Sequence, residues 1–487
     1  MPYAGAKIGP AFSDDFYHKI YILPRTIELG NFTDTSKDFI VWNAYFNDRD
    51  FSVINTTAVA ADDLTLTGNA SGAMPGLSVY DYALDAGAAG SPALDVTYTW
   101  DFSGAVVDPV LVVLGQRVIL LPWVARDKAT KRLSWKTGVV KAYGQEQRRG
   151  LRRAPLQEIS YRIHVPDQDR IDLESRLTDL TSLYAVPLWW LRQDVGVLTA
   201  GVTTIVMDTD YRFLQPGGLL YLYESTGLHE AKTIDTVLAG SVTLTSALTN
   251  NYTNAQAVAT LACYAKNIGM TRRGEKINFA SFDFTSTDFY ELPADTYTQY
   301  KGLDVLLDPT VTVAAVPMQV VQSRVWRDNG IGPLGVGNKE NRVRVQDTQR
   351  WIKADLEGRY KLEQWFNSRY GQRVPFYQPT WQKDFVVTAD IGNTAAFFDV
   401  ESTHKLAPFE IMLELNDGTQ FFREVITKAV QGSGHRLNID SAFGQAITAA
   451  SIKRVCVLRL TRHAADSVTL NYQSPNITRA EIPTTTH

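Results

Sequence analysis

One order of segments occurs twice in this chain, and that repetition constrains its fold more than any other feature. In the first copy the helix-patterned stretch DRIDLESRLTDLTSLY leads through Val186-Pro187 into VPLWWLRQD, and in the second DLEGRYKLEQWFNSRYG leads through Val374-Pro375 into VPFYQPTWQKD. We expect each proline to end its helix, because proline disfavours helical geometry in the residue before it. Two copies are fewer than a solenoid requires, so the order predicts a tandem duplication.

Residues further along the two copies can also be matched, since they differ in number by nearly the same amount. The matched pairs are Glu174 and Glu363, Asp194 and Asp384, Glu230 and Glu424, and Cys263 and Cys456. Each copy therefore predicts paired strands, a helix near 169–184 or 355–370, an aromatic link and a small β module. These should be the two longest helices, and the cysteines should be buried at equivalent positions.

The composition favours strands in the rest of the chain. Apolar residues make up 45% of the sequence and aromatic residues 11%, a bias typical of half-buried strands. Apolar and polar residues alternate in LDVTYTWDF, from Leu94 to Phe102, which indicates a strand with one buried face. Short strands between turn residues over the first hundred positions predict an immunoglobulin-like β-sandwich, and we expect roughly twice as much strand as helix.

The length requires several domains, because one hydrophobic core rarely grows beyond about 250–300 residues and this chain has 487. The predicted class is mainly β with a few short helices: an N-terminal immunoglobulin-like sandwich, then two tandem duplicated strand–helix–β-module units. The predicted boundaries are 1–108 for the sandwich, 109–271 for the first unit (strands and helix to about 190, small β module 195–268), 272–316 for a connector, 317–465 for the second unit (strands and helix to about 380, small β module 384–463) and 466–487 for an extended C-terminal arm.

The charge pattern excludes binding to nucleic acid or to a membrane surface by charge alone. The chain has 48 Lys and Arg against 52 Asp and Glu, with the signs interspersed. The most apolar run, Val110 to Val124, is short and contains Arg117 and Pro122, so we expect no membrane insertion. Two cysteines and an N-terminus without a secretory pattern predict synthesis and retention in a reducing cytosol until assembly.

Four arginines form the one local excess of charge. They are Arg148, Arg149, Arg152 and Arg153, in GQEQRRGLRRAP. One interpretation is a phosphate-binding patch; the favoured one is a solvated strand edge or an ion-pairing contact between subunits.

The remaining residues that could carry chemistry do not form a recognisable site. Asp167, Asp169 and Asp172 lack the glycine and closing glutamate of a calcium loop, so Asp169 is interpreted as a helix N-cap. GIGPLG, with Gly330, Gly332 and Gly335, matches a dinucleotide fingerprint, but a strand-like segment follows it and a helix is required there, so a loop or subunit contact is favoured. Seven histidines without metal-site spacing complete the set: His18, His164, His229, His404, His435, His463 and His487. We therefore predict no catalytic, cofactor-binding or metal site.

Two segments resemble a known family. WKTGVVKAYGQEQRRGLRRAPLQEISYRI and RYGQRVPFYQPTWQKDFVV are similar to segments of tail-tip proteins, also called distal tail or baseplate proteins, of long-tailed bacteriophages. The first copy departs from the family's Pro-Thr-Trp link, with VPLWWLRQD in its place. The resemblance covers about Val110 to the C-terminus and implies a non-enzymatic ring at the end of the tail tube, which carries fibres or receptor-binding proteins and supports host adsorption.

The expected partners are copies of the same chain in a ring and other tail proteins, namely tube, hub and fibres. The expected location is the virion tail, and the expected place of synthesis is the bacterial host cytoplasm. We expect the loop from Gly330 to Asn338 and the arm after Asp466 to be ordered only against another subunit. The alternative function is a carbohydrate-binding protein that recognises the host surface. Solvent-exposed aromatics clustered beside Asp or Asn would favour it, and aromatics buried in the two links would not. A glycan hydrolase is a third hypothesis and needs two facing carboxylates.

Overall fold

The computed structural model describes residues 16–487 apart from 88–89, 92, 105, 127, 143–144, 177–182, 274–276, 288–291, 294, 310–317, 323, 339–342, 402, 475–476 and 487. The described structure is 59% strand and 7% helix, with two α-helices. The mainly β class is therefore confirmed, and strand exceeds helix by much more than the predicted factor. The chain divides into two compact units, Met1–Ala129 with Glu158–Asp288 and Gln473–Pro475, and Thr130–Gln157 with Phe289–Tyr472 and Asn476–His487.

The first unit begins with a two-sheet sandwich. Its strands are β1 Ile20–Leu23, β2 Thr26–Phe32, β3 Thr35–Asn43, β4 Arg49–Thr56, β5 Leu64–Thr67, β6 Gly72–Met74, β7 Val79–Ala86, β8 Ala93–Phe102 and β9 Val110–Leu120. One sheet has the order β1-β3-β7-β5, and the other has β6-β4-β8-β9-β2. Alternate residues of β8, from Leu94 to Phe102, are buried as predicted and join one apolar core with both sheets.

Three strands follow that the sequence assigned to the first duplicated unit. They are β10 Ala129–Ser134, β11 Thr137–Ala142 and β12 Gln145–Gly150. Apart from Ala129 they belong to the second unit, which corrects the predicted boundary. The reason is pairing across a long sequence distance: β10 pairs with a strand near the C-terminus, and no local pattern encodes such a partner.

The first duplicated unit contains one helix and nine strands among its described residues. They are β13 Leu156–Pro166, α1 Asp167–Arg176, β14 Leu183–Pro187, β15 Gln193–Leu198, β16 Thr204–Val206, β17 Leu219–Ser225, β18 Leu228–Leu238, β19 Ser241–Leu244, β20 Tyr252–Arg273 and β21 Ile277–Ser286. The end of β9 pairs in parallel with β14, so one strand runs from the sandwich into this unit.

The second unit contains the remaining elements. They are β22 Gln299–Tyr300, β23 Leu303–Asp304, β24 Met318–Val321, β25 Arg324–Arg327, β26 Gly335–Asn338, β27 Arg344–Lys353, α2 Leu356–Arg369, β28 Phe376–Pro379, β29 Phe397–Val400, β30 Phe409–Leu415, β31 Gln420–Gln431, β32 Gly434–Ile439, β33 Ile452–His463, β34 Ser467–Tyr472 and β35 Thr478–Thr486.

The two copies share one strand order. In the first, β13 pairs with β21, β21 with β20, and β20 with both β14 and β17. In the second, β27, β35, β33, β28 and β30 take the same places. Even a β-bulge recurs, after Ile234 on β18 and after Val425 on β31. The helix follows β13 in one copy and β27 in the other, which is the arrangement that a tandem duplication requires.

The register of these pairs corrects the residue matching, because loops of unequal length shift the offset along the chain. Tyr184 faces Cys263 on β20, whereas Phe376 at the equivalent place faces Thr461 on β33. Cys263 and Cys456 are therefore both buried but not equivalent. The same register matches Pro187 with Pro379 in place of Pro375, so the two aromatic links are Pro-Leu-Trp and Pro-Thr-Trp.

The prolines do not end the helices, contrary to the prediction. Helix α2 ends at Arg369; the C-cap residue Tyr370 is left-handed with φ 49°, and Gly371 follows with φ 67°. Left-handed residues stop a helix because the chain leaves the helical path. In the first copy Val186-Pro187 lies in β14, and residues 177–182 of the predicted helix lie outside the described residues.

Asp169 is likewise not an N-cap, because α1 begins two residues earlier. Its carboxylate accepts a hydrogen bond from the indole nitrogen of Trp123 at 3.2 Å. The cap is found on the second helix, where the carboxylate of Asp355 accepts from the backbone of Gly358.

The predicted C-terminal arm is a core element. Strand β34 pairs with β10 and β35, and β35 pairs with β27 and β33. Val468, Leu470, Ala480 and Ile482 are buried at alternate positions. The predicted connector is also partly strand, because β21 holds the place in the first copy that β35 holds in the second. The local sequence of these two segments could not show that each pairs with strands distant in the chain.

Among the described residues, no helix is both long enough and apolar enough to span a membrane.

Candidate functional site

The arginine-rich segment takes part in an ion-pair cluster within the second unit. The side chain of Glu146 is only 5% exposed, and its carboxylate contacts the guanidinium groups of Arg148 at 2.9 Å, Arg344 at 2.8 Å and Arg462 at 2.9 Å. Arg148 also donates to the side chain of Gln372 at 3.0 Å. The most buried member of the predicted patch is thus committed to contacts inside the chain, which disfavours both a phosphate patch and a contact between subunits for Arg148.

The glycine-rich motif connects two strands, so it is not a dinucleotide site. GIGPLG lies at the turn between β25 and β26, and no helix follows Gly335. Its apolar side chains face solvent: Ile331 is 93% exposed and Leu334 57%, with Trp326 on β25 at 60%. We call β25, the turn and β26 the apolar hairpin. The segment predicted as a loop is therefore ordered as a hairpin within one chain.

No group of three His, Cys, Asp or Glu that could hold a metal ion occurs within the part of the chain that is described. His463 is buried between Phe366 and Phe376, and its pKa falls to about 3 because burial opposes the charged imidazole. His435 accepts a hydrogen bond from the backbone of Thr403 at 3.3 Å. His487 lies outside the described residues.

The buried cysteines have no feature of a reactive thiol. Cys456 donates to the carbonyl oxygen of Gln382 at 3.0 Å, and burial raises its pKa to about 12. A thiol nucleophile reacts as the thiolate, which this environment disfavours.

An aromatic cluster lies on the sandwich. Tyr21 and Trp42 face each other across β1 and β3 with stacked rings 5.4 Å apart. Phe16 packs against Trp42 at 5.6 Å and Tyr17 against Phe46 at 5.0 Å, while Phe16 and Phe46 remain exposed. By contrast, Trp189 and Trp190 of the first aromatic link are buried. The exposed cluster on the sandwich thus favours the carbohydrate-binding hypothesis, whereas the buried aromatics of the first link disfavour it.

The second unit contains a cavity of about 980 Å³ between helix α2 and residues 292–293 and 295–304. The residues that line it are Trp135, Arg153, Ala154, Pro155, Leu292, Pro293, Asp295, Thr296, Tyr297, Gln299, Asp304, Gln364, Asn367, Ser368, Arg369 and Tyr370. The amide of Gln364 donates to the carbonyl oxygen of Pro293 at 2.9 Å, which ties the helix to the opposite wall.

Arg369 is the most constrained side chain of this cavity. Its guanidinium pairs with the carboxylate of Asp304 and lies 4.5 Å from the ring centre of Trp365. The ring centre of Tyr297 lies 5.7 Å from the guanidinium and 5.0 Å from that of Trp365, and burial raises the pKa of the Tyr297 phenol. Because these contacts hold the Arg369 guanidinium in one position, its N–H donors are fixed and the side chain loses little conformational entropy when they form hydrogen bonds.

Sequence reasoning did not find this cavity, because its wall comes from the predicted connector, the end of helix α2, and residues 135 and 153–155. The one signal was local: TYTQYKGLD is rich in Tyr and polar residues, which is unusual for a plain linker.

Comparison with known proteins gives no family for this chain. No family model matches it, and no curated protein matches it.

Proposed function

We propose that the chain is a non-enzymatic structural protein of a bacteriophage tail tip or baseplate. In this role copies of the chain form a ring that joins the tail tube to fibres or receptor-binding proteins and supports host adsorption. The proposal rests on the two resembling segments and on the duplicated β architecture that contains them.

The apolar hairpin is the observation that carries the proposal furthest. A two-stranded sheet is marginal by itself in water, and this one exposes Trp326, Ile331, Leu334 and Val336. Clustered exposed apolar groups are typical of contact surfaces between proteins. A neighbouring subunit or tail protein would remove them from water, which is what a ring component requires.

The test is the mass of the assembled particle, with an image of it by electron microscopy. We expect a closed ring for the full chain. The variant Trp326→Ser, Ile331→Ser, Leu334→Ser should remain monomeric with an unchanged melting temperature. The matched control is Leu406→Ser with Val430→Ser, since these side chains are 80% and 78% exposed outside the hairpin. A chain that stays monomeric, or a hairpin variant that assembles normally, contradicts this proposal.

The aromatic cluster on the sandwich favours a second candidate function, recognition of a surface carbohydrate. Aromatic faces stack on the apolar faces of sugars, and Phe46 is 60% exposed beside Tyr17. We expect Phe16→Ala with Phe46→Ala to abolish retention on immobilised host glycan, and the exposed control Val107→Ala to leave it unchanged. Equal retention of both proteins counts against this candidate.

A further inference from the structure

We propose that subunits of this protein associate head to tail by strand pairing, in which β24 of one subunit lies along the C-terminal half of β20 in the next subunit. The proposal deepens the ring formation of the proposed function, on which it rests, and names the two strand edges that meet. Its basis is a strand pairing inside the second unit, between two strands whose counterparts in the other copy both remain exposed.

The segment that precedes the first copy completes the sheet of the second. Strand β10 leads through the hairpin of β11 and β12 into β13, yet it pairs with β34. The contact continues beyond β10, because the backbone nitrogen of Trp135 donates to the carbonyl oxygen of Asp466 at 2.8 Å. The carboxylate of Asp466 also accepts from the backbone nitrogen of Thr137 at 2.8 Å. A strand that leads into one copy thus covers a strand edge that belongs to the other.

Strand β24 has the same place before the second copy that β10 has before the first. A two-stranded hairpin and then the first long strand of the copy follow each of them. One edge of β24 pairs with β27, and no strand covers its other edge among the strands that the structure describes. Ala129, Lys131 and Leu133 of β10 are buried at alternate positions, whereas Met318 and Val320 of β24 are exposed. Strand β24 therefore lacks the cover that β10 has.

The C-terminal half of β20 has the place in the first copy that β34 has in the second. Met270 of β20 pairs with the buried Ala280 of β21. Leu470 of β34 pairs with the buried Ala480 of β35 in the same way. Leu470 is 0% exposed, but Met270 is 40% exposed. Within the described part of the chain, residues 267–271 pair with β21 on one edge and with no strand on the other.

These two edges lack the features that keep exposed strands apart. Natural edge strands often carry charged side chains or proline, which oppose pairing with another molecule. Residues 318–321 are Met-Gln-Val-Val and residues 267–271 are Asn-Ile-Gly-Met-Thr, without a charge or a proline. A strand from another molecule would pair with the backbone groups of such an edge and remove the apolar side chains beside it from water.

A second subunit fits both edges, because every chain carries one edge of each kind. The two edges are different surfaces, so the contact is heterologous, and its repetition from subunit to subunit gives a ring where the rotation closes. The apolar hairpin follows β24 as β11 and β12 follow β10. In that first hairpin Arg148 donates to the side chain of Gln372 in the second unit at 3.0 Å. By the same correspondence, the apolar hairpin contacts the first unit of the next subunit.

The experiment is sedimentation velocity of the full chain and of two edge variants. Met318→Lys with Val320→Lys blocks the β24 edge, and Ile268→Lys with Met270→Lys blocks the β20 edge, because lysines on an edge strand disfavour pairing. We expect each variant alone to be monomeric. Its melting temperature should stay close to that of the unmodified protein, since all four side chains are exposed in the single chain.

A mixture of the two variants distinguishes pairing between these two edges from any other contact. Each variant keeps the edge that the other has lost, so one intact contact forms between them and no further subunit is added. We expect dimers with one chain of each kind, at a concentration at which either variant alone is monomeric.

The matched controls place two lysines at exposed apolar positions of each unit away from these edges. They are Val197→Lys with Leu238→Lys in the first unit and Ile426→Lys with Val430→Lys in the second. Both controls should assemble as the unmodified protein does.

The outcomes separate this contact from the proposed function. An edge variant that assembles normally, or a mixture that stays monomeric or forms rings, overturns the pairing and leaves ring formation standing. Open head-to-tail filaments of the full chain that the edge variants abolish support the pairing and contradict a closed ring. A full chain that stays monomeric overturns both.

Discussion

The imidazole of His463 is fully buried, and burial favours its uncharged form. Phe366 and Phe376 lie on either side with ring centres 5.6 and 5.2 Å away, and neither ring nitrogen has a partner among the described residues. Burial, and after it the positive charge of Arg369, lower the pKa of this imidazole to about 3.

This residue should make stability depend on pH. The unfolded imidazole has a pKa of about 6.5, so below that pH the unfolded chain binds a proton that the folded chain excludes until about pH 3. The free energy of unfolding should then fall by about 1.4 kcal/mol per pH unit across this window. We expect His463→Leu to remove that slope in urea unfolding of the second unit at pH 7 and pH 5. His404→Leu, at an exposed site, is the control, and an equal slope in both variants rules out the assignment.

The thiol of Cys456 should be inert in the folded protein, because burial raises its pKa to about 12. We expect a thiol-specific reagent to label neither cysteine under native conditions and both in denaturant. Rapid labelling of the native Cys456→Ser variant would show that Cys263 is accessible, and rapid labelling of Cys263→Ser would show the same for Cys456.

For single residues, the sequence predicted that the two cysteines are buried, but it was wrong that they occupy equivalent positions in the two copies. Both cysteines are buried as expected, yet the pattern could not show that Cys263 faces Tyr184 while Cys456 faces Met412. The offset between copies drifts wherever one copy has a longer turn, and only the hydrogen-bond register reveals where.

Among the elements, helix α2 is attached to β10 by a buried ion pair. Lys131 Nζ lies 2.8 Å from Glu363 Oε2, and the carboxylate also accepts from the hydroxyl of Tyr472 at 3.0 Å. The residue that the sequence matched with it, Glu174 on α1, is instead half exposed and pairs with Arg170 on its own helix.

These two glutamates should differ sharply on substitution. Glu363→Gln leaves a buried ammonium without its counter-charge and should destabilise the second unit by about 3–5 kcal/mol. Glu174→Gln loses one surface pair and should cost at most about 0.5 kcal/mol. The measurement is urea unfolding. Lys131→Met with Glu363→Met should recover most of the loss, and a double variant as unstable as the single one contradicts this account.

The last two strands should be required for folding of the second unit. Deletion of 467–487 removes β34 and β35, and with them the partners of β10, β27 and β33. We expect calorimetry to show loss of the transition of the second unit, while the first unit still unfolds cooperatively. Ile482→Asp should act in the same direction, and Glu481→Asp, at an exposed neighbouring position, should have little effect. An intact second transition after deletion would restore the arm interpretation.

Element order was largely predictable from sequence, whereas long-range pairing was not. Helix α2 lies at its predicted place, and α1 covers the first part of the predicted stretch 169–184, whose last two residues belong to β14. Apolar spacing is local and therefore indicates where a helix lies more reliably than where it ends. The predicted arm and connector were wrong because alternation in LNYQ or FDFTS is short and says nothing about a partner. The cavity was missed for the same reason, since its wall joins three segments that are distant in sequence.

For the whole molecule, the described structure contains two compact units that interleave along the chain. The sandwich and the first copy complete one unit by β21, apart from Gln473–Pro475. The second unit draws on residues near 130 and on the last residues of the chain. Sequence order predicted that the domains follow one another along the chain. Strands β10 to β12 contradict this, because they precede the first copy in sequence but belong, apart from Ala129, to the second unit.

This interleaving has a consequence for synthesis on the ribosome. Strand β10 emerges early, but its partner β34 is translated more than 300 residues later, as the numbers of Ser134 and Ser467 show. At about 5–20 residues per second, that interval is roughly 15–70 s. During this time the nascent chain carries Lys131 without Glu363 or Tyr472, and β10 without its partner strand β34. The yield of soluble protein should thus depend on translation speed and on chaperones that shield nascent β-edges.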